Sequence, residues 1–248
     1  MGARPPSTSP LALTRRARRV DRLLGERYPD AGCELDFRDP FELLVATVLS
    51  AQTTDVKVNE ITPALFATYP DAVALAGADR AHLEDLIRPT GFFRAKAASL
   101  TGLAAALVEH HQGRVPGTME ALVALPGVGR KTANVVLGNA FGVPGLPVDT
   151  HVTRVAGRLG LTGEQDAVRI ESDLTAMIPK KGWAMFSHRL IFHGRCTCHA
   201  RRAACGACPL QDVCPSYGVG ETDPDRAAAL VRITPVQAAR SANRRAAR

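Results

Sequence analysis

Lys131 follows the run Leu125-Pro126-Gly127-Val128-Gly129-Arg130, and Asp149 follows the loop Gly142-Val143-Pro144-Gly145-Leu146-Pro147-Val148. An unperturbed lysine titrates near pH ~10.4, so only about one in 2,500 is neutral at pH 7. An amine that attacks carbon must have a larger neutral fraction. The start of a helix, the neighbouring Arg130 and partial burial would each disfavour the ammonium. A carboxylate at 149 could take the amine proton and stabilise positive charge developing on a substrate. The same two residue types also fit a plainer assignment, Lys131 as a phosphate contact and Asp149 as a helix N-cap. Gly127 and Gly129 open backbone angles closed to other residues and let another backbone approach. The helix after them begins with outward N–H groups, which with its dipole and Arg130 make a place for a phosphate.

Four cysteines, Cys198, Cys205, Cys208 and Cys214, have the spacing C-x6-C-x2-C-x5-C. Four thiolates so gathered bind zinc or an iron–sulfur cluster, and by spacing alone zinc is the commoner occupant. Disulfide frameworks spread their cysteines along small secreted chains, so this tight grouping points to ligation in a reducing compartment. Cys196 stands outside the pattern, two residues before its first member, and the distant Cys33 reads as a packed thiol.

Helices must carry these groups. The apolar periodicity is helical nearly throughout, with no convincing strand alternation and no long repeat, so the fold class is all-α. Residues 11–28 carry Leu11, Leu13, Val20, Leu23 and Leu24 among arginines, which predicts a helix with one apolar side. Asp39-Pro40 reads as an N-cap with proline at the first helical position, and Phe41 to Ala51 as a buried helix. Further helices are expected at 55–68, 80–88 and 94–112, the last closed by Gly113 and Pro116. Thr118 caps a helix reaching Leu125, residues 129–141 form the next, and Asp149 caps one running to Gly160. Two more are expected at 167–178 and 181–194, with Trp183 and Phe186 in the core. From Gly218 onward the apolar periodicity fades, which predicts a stretch without stable structure.

The 248 residues allow one or two domains, and a hydrophobic content of 46% supports a buried core. Lys+Arg number 31 against 24 Asp+Glu, and the resulting +7 attracts polyanions without proving that the chain binds one. No stretch approaches the ~18–20 apolar residues of a membrane span. The first twenty residues hold no apolar signal core, and a basic flexible tail is a plainer reading of them than a transit peptide.

The string Leu125 to Ala133, L-P-G-V-G-R-K-T-A, resembles the helix–hairpin–helix of DNA glycosylases. Val148-Asp149-Thr150-His151, with its aspartate 18 residues beyond Lys131, resembles the V-D-T-H of the endonuclease III family. The cysteine spacing, preceded by His193-Gly194-Arg195, is similar to that family's [4Fe–4S] loop. Leu49-Ser50-Ala51-Gln52-Thr53-Thr54-Asp55 resembles the family's L-S-A-Q-x-T-D, and Thr90 to Lys96 resembles its second insertion loop. The likeness covers about residues 10–217.

This resemblance implies a base excision repair enzyme that removes oxidised pyrimidines and cuts at abasic sites. Lys131 would attack the sugar C1′ with Asp149 as the catalytic carboxylate. Gly127, Gly129 and Arg130 would grip phosphates, as would Arg201 and Arg202 beside the cluster. Gln52 and Phe92 would enter the base stack, and Ser50 and His151 would line the lesion pocket. The implied cofactor is a [4Fe–4S] cluster on Cys198, Cys205, Cys208 and Cys214. The implied partner is double-stranded DNA with damaged bases or abasic sites, met by a monomer in the bacterial cytoplasm, at the nucleoid. The implied architecture is two helical domains flanking a DNA cleft. A six-helix barrel would span 33–143 and a cluster domain 1–32 with 144–222; residues 223–248, beyond the likeness, read from their composition as a basic, disordered tail. The alternatives are a non-catalytic DNA-binding module, which has no use for a Lys131/Asp149 pair, and an adenine mismatch glycosylase. That second family lacks the lysine and usually adds a C-terminal domain for which this chain is too short.

Overall fold

A computed structural model gives the fold, and it describes residues 9–233. The expected tail segments 1–8 and 234–248 lie outside the described residues. Among those described, the chain is all-α: it forms helices throughout, and its only β feature is an isolated bridge between Ala204 and Glu221. Two compact units emerge. One is continuous, Cys33–Pro147; the other joins Met1–Gly32 to Val148–Arg248.

Helix α1 (Pro10–Arg27) opens the discontinuous unit. The continuous unit follows with α2 (Pro40–Leu49), α3 (Asp55–Thr68), α4 (Ala72–Ala76), α5 (Arg80–Ile87), α6 (Phe93–His111), α7 (Met119–Val123) and α8 (Arg130–Ala140). The chain then completes the discontinuous unit with α9 (Thr150–Arg158), α10 (Ala167–Met177), α11 (Trp183–Cys196) and α12 (Pro224–Ala228).

Most of these helices start where a short polar side chain meets the orphan N–H groups of a first turn. Ser9, Asp39, Thr54, Asp71, Asp79, Thr118, Asp149, Asp166 and Asp223 all accept such a bond. The exceptions are α6, α8 and α11, which begin after Phe92, Gly129 and Gly182 without a side-chain cap. Two of those three uncapped starts coincide with expected DNA-facing positions.

Helix α2 is the axis of the continuous unit: Phe41 through Leu49 are all buried, and α3, α6 and α8 pack around it. Its buried Glu42 is held by Arg38, whose Nε donates at 2.7 Å and whose backbone N–H donates at 2.7 Å. From α6, Leu100, Leu103 and Leu107 point into the same core. Leu44 is fully buried in it, so Leu44→Ala should destabilise the protein by roughly 2–5 kcal/mol, measured by urea unfolding. In the discontinuous unit α9 packs on α11 and α1 packs on α10 and α11, burying Val20, Leu24, Ile170, Leu174, Phe186 and Leu190.

Two departures from the sequence reading have physical causes. Helix α4 was not anticipated: its five residues show no period, and unlike Thr118 before α7 its cap, Asp71, was not read as one. The stretch after Gly218, expected to be unstructured, is ordered through residue 233 and includes α12. Its order comes from backbone hydrogen bonds to the cysteine loop rather than from an apolar stripe.

Candidate functional site

The hairpin before α8 buries Leu125 and Val128 and leaves Pro126, Gly127, Gly129 and Arg130 exposed. Gly127 has φ +75°, and a Cβ there would stand 3.2 Å from the Ser99 Cβ, so both the backbone angle and the space favour glycine at this turn. Gly129 differs from expectation: its φ of −91° and ψ of 170° are open to any residue. A Cβ there would meet nothing within 4 Å, so what glycine provides is bare backbone at the head of an uncapped helix. Lys131 stands in the first turn of α8 and is exposed. The partial burial expected of it is not observed, because Ala133, Asn134, Val136 and Leu137 form the core-facing side of this helix.

Asp149 is the N-cap of α9, its Oδ1 accepting the Val152 N–H at 2.8 Å, and it is half-buried. It belongs to the discontinuous unit and Lys131 to the continuous one. His151 is half-buried two residues on. Burial holds its pKa below the usual histidine value, with Asp149 opposing and Arg154 reinforcing the shift. Arg154 Nη2 approaches the His151 Nδ1 at 3.1 Å, which suits a neutral ring protonated on Nε2. Arg154 also donates to the carbonyls of Gly194 (3.0 Å) and Cys198 (3.3 Å), tying α9 to the start of the cysteine loop. Ser50 ends α2, its hydroxyl donating to the Thr47 carbonyl at 2.9 Å. Gln52 is exposed with φ 55°; Phe92 is 68% exposed with φ 47° and is therefore no core aromatic.

Cys198, Cys205, Cys208 and Cys214 line one cavity, together with apolar Val155, Leu159 and Leu210. Arg158 Nη1 lies 3.3 Å from the Cys198 Sγ, and the Leu210 N–H donates to the Cys208 Sγ at 3.4 Å. Burial pushes the Cys208 thiol up to about 12 and raises Cys214 as well, so thiolates here call for a cation among them. Cys196 is buried outside this cavity set, and Cys33 packs against the core of the other unit. Arg201 is exposed; Arg202 is exposed too, but pairs with Glu221 at 2.7 Å.

The sequence reading missed the strap that follows. Glu221 N–H donates to the Ala203 carbonyl (2.8 Å), Gly206 N–H to the Glu221 carbonyl (2.9 Å) and Arg232 N–H to the Cys196 carbonyl (2.8 Å). Gly220 permits the contact, since a Cβ there would lie 2.1 Å from the Ala203 carbonyl oxygen. The available signal was Asp223-Pro224, the same cap-and-proline pair that starts α2.

Residues 45–180 match the family model of the HhH-GPD superfamily base excision DNA repair proteins. Endonuclease III of Synechocystis sp. is 54% identical over 202 residues, covering 81% of this chain and 92% of that enzyme. Endonuclease III of Escherichia coli K12 is 42% identical, covering 80% of this chain and 95% of that enzyme. The chain belongs to the endonuclease III family. A solved structure of a non-covalent endonuclease III–DNA complex superposes with a TM-score of 0.79 at 43% identity, covering 82% of this chain and 96% of that one. A thermostable thymine-DNA glycosylase, at 23% identity and a TM-score of 0.76, shows the shared fold alone.

As a member of the endonuclease III family the protein is a DNA glycosylase with abasic-site lyase activity, acting in base excision repair. Membership sets aside the non-catalytic alternative. The family is known for a [4Fe–4S] cluster. Among the described residues no helix is long and apolar enough to cross a membrane.

Proposed function

We propose that this enzyme removes oxidised pyrimidines from double-stranded DNA and then cleaves the strand through a covalent intermediate on Lys131. The observation that carries this reading is an exposed lysine in the first turn of an uncapped helix, behind a glycine hairpin that bares its backbone. The neutral amine attacks C1′ and the base leaves with the bonding pair, taking a proton from water; Asp149 takes the amine proton and returns it to O4′ as the ring opens. The sugar ring opens to an iminium on Lys131. Loss of a C2′ proton then expels the 3′ phosphate, and water releases the lysine. Gly127, Gly129 and Arg130 hold phosphates, helped by Arg201; Arg202 shares that charge with Glu221. Gln52 and Phe92 fill the gap left by an extruded base, and Ser50 and His151 line its pocket. The enzyme would work as a monomer at the nucleoid.

We also infer that Cys198, Cys205, Cys208 and Cys214 hold a [4Fe–4S] cluster. Two observations support the group: all four thiols line one cavity that also includes apolar Val155, Leu159 and Leu210, and N–H donors from Arg158 and Leu210 approach the sulfurs of Cys198 and Cys208. Bound there, the cluster fixes the loop that bears Arg201.

The test is a set of duplexes carrying thymine glycol, uracil or an abasic site, incubated with and without borohydride. Cleavage and trapping at thymine glycol and the abasic site are expected; trapping at neither would sink the reading. Asp149→Asn separates chemistry from capping, because asparagine caps as well as aspartate. Stability should hold within about 0.5 kcal/mol while base removal falls on the order of 100-fold. Retained activity in Asp149→Asn would reduce Asp149 to a cap.

A further inference from the structure

Lys96 is buried, at 6% exposure, inside the continuous unit. Its ammonium donates to the carbonyls of Leu49 (2.8 Å) and Thr90 (2.8 Å) and to the Thr53 Oγ1 (3.1 Å). These acceptors satisfy its three N–H groups, and none is a carboxylate. Burial lowers its pKa. Leu49 and Thr53 bracket Gln52, whereas Thr90 precedes Gly91-Phe92. The Thr53 hydroxyl also donates directly to the Thr90 carbonyl. The two loops are therefore joined twice, through one ammonium and one hydroxyl.

What the joint holds is unusual. Among the described residues three non-glycines have positive φ: Gln52, Phe92 and Gln112. Gln112 ends α6, where a left-handed residue is ordinary. Gln52 and Phe92 are both exposed, and such backbone persists in residues bearing side chains only where the surroundings over-determine it. Two exposed side chains in disfavoured conformations thus share one buried clamp.

We propose that Lys96 and Thr53 are positioning residues that lock the two loops into one rigid device, so that Gln52 and Phe92 enter the base stack together. This rests on the insertion roles proposed above for Gln52 and Phe92. The cluster-loaded full chain would be compared as wild type, Thr53→Val, Thr53→Ser, Gln52→Ala, Phe92→Ala and the double Gln52→Ala/Phe92→Ala. The probe is a thymine glycol duplex with 2-aminopurine beside the lesion, whose fluorescence rises on unstacking. A single-stranded abasic oligonucleotide, which needs no extrusion, gives the reference rate. Thr53→Val should lower the fluorescence rise and cut the duplex rate about tenfold relative to the single-strand rate, the scale of one hydrogen bond. Thr53→Ser should restore both. Removing Gln52 and Phe92 should be non-additive in wild type and closer to additive when the same two single variants and their double are made on a Thr53→Val background, where the Lys96 bonds to Leu49 and Thr90 remain.

If Gln52→Ala and Phe92→Ala leave the signal and the duplex rate intact, the insertion reading fails and this proposal with it. If they lower both while Thr53→Val does not, insertion stands and the coupling is overturned. Equal losses on the two substrates in Thr53→Val would also overturn it, because a general loss of structure does not discriminate between them. Lys96→Met should repeat the Thr53→Val pattern; Thr53→Val keeps the test decisive if Lys96→Met fails to fold.

Discussion

Lys131→Ala and Lys131→Gln should abolish the borohydride-trapped DNA adduct and lower strand cleavage on the order of a thousandfold or more. The size of the effect follows from the role. Without a nucleophilic amine there is no iminium to reduce, and without an iminium the C2′ proton is not acidic enough to leave. Lys131 is exposed at the start of α8, so its removal should change stability by no more than about 0.5 kcal/mol. Lost activity could not then be assigned to unfolding. Duplex binding should survive, weakened by at most one phosphate contact and with a salt dependence shallower by about one unit. Arg130→Ala is the matching control: it should weaken binding and leave trapping intact. Adduct formation that persisted in Lys131→Ala would mean that a different amine attacks the sugar.

Much of this was legible because helix starts are written locally. Asp39-Pro40, Thr118 and Asp149 each announce a cap in two or three residues, and the structure uses all three. The cysteine spacing and the glycine hairpin were equally visible, being contiguous strings of unusual residue types. What could not be read depended on contacts distant in sequence. Lys96 sits among alanines and looks like a surface lysine; only the fold brings Leu49, 47 residues away, to its ammonium. The left-handed backbone of Gln52 and Phe92 has no compositional mark, since neither is glycine. The strap from Gly218 lacks an apolar stripe because it is held by backbone bonds, which periodicity does not report. Lys131 was expected to be half-buried on chemical grounds, yet the side of α8 that faces the core begins two residues later, at Ala133.

Cys205→Ala should yield protein without iron, without the yellow-brown absorbance of a cluster, and with the segment 197–233 released. The argument is one of stability. Beyond α11 the described chain has no helix longer than the five residues of α12. Besides Cys205, the apolar side chains that it buries are Ala203, Ala204, Leu210 and Ala227. Three alanines and a leucine are too little apolar surface to order such a stretch against its backbone entropy, at roughly 1–2 kcal/mol per residue. A metal group ligated by four thiolates would supply the missing constraint by pinning the loop at Cys198, Cys205, Cys208 and Cys214. The strap depends on the loop in turn, through Glu221 on Ala203 and Arg232 on Cys196. Losing one ligand should therefore free loop and strap together, letting the backbone at the already exposed Arg201, Arg202 and Arg226 enter trypsin. The helical signal should stay near its original value, because those residues contribute little helix. Cys196→Ala, outside the ligand pattern, should keep iron and resist trypsin. Iron retained in Cys205→Ala would break the four-cysteine assignment. Zinc in place of iron in the wild type would keep the four ligands and correct the metal.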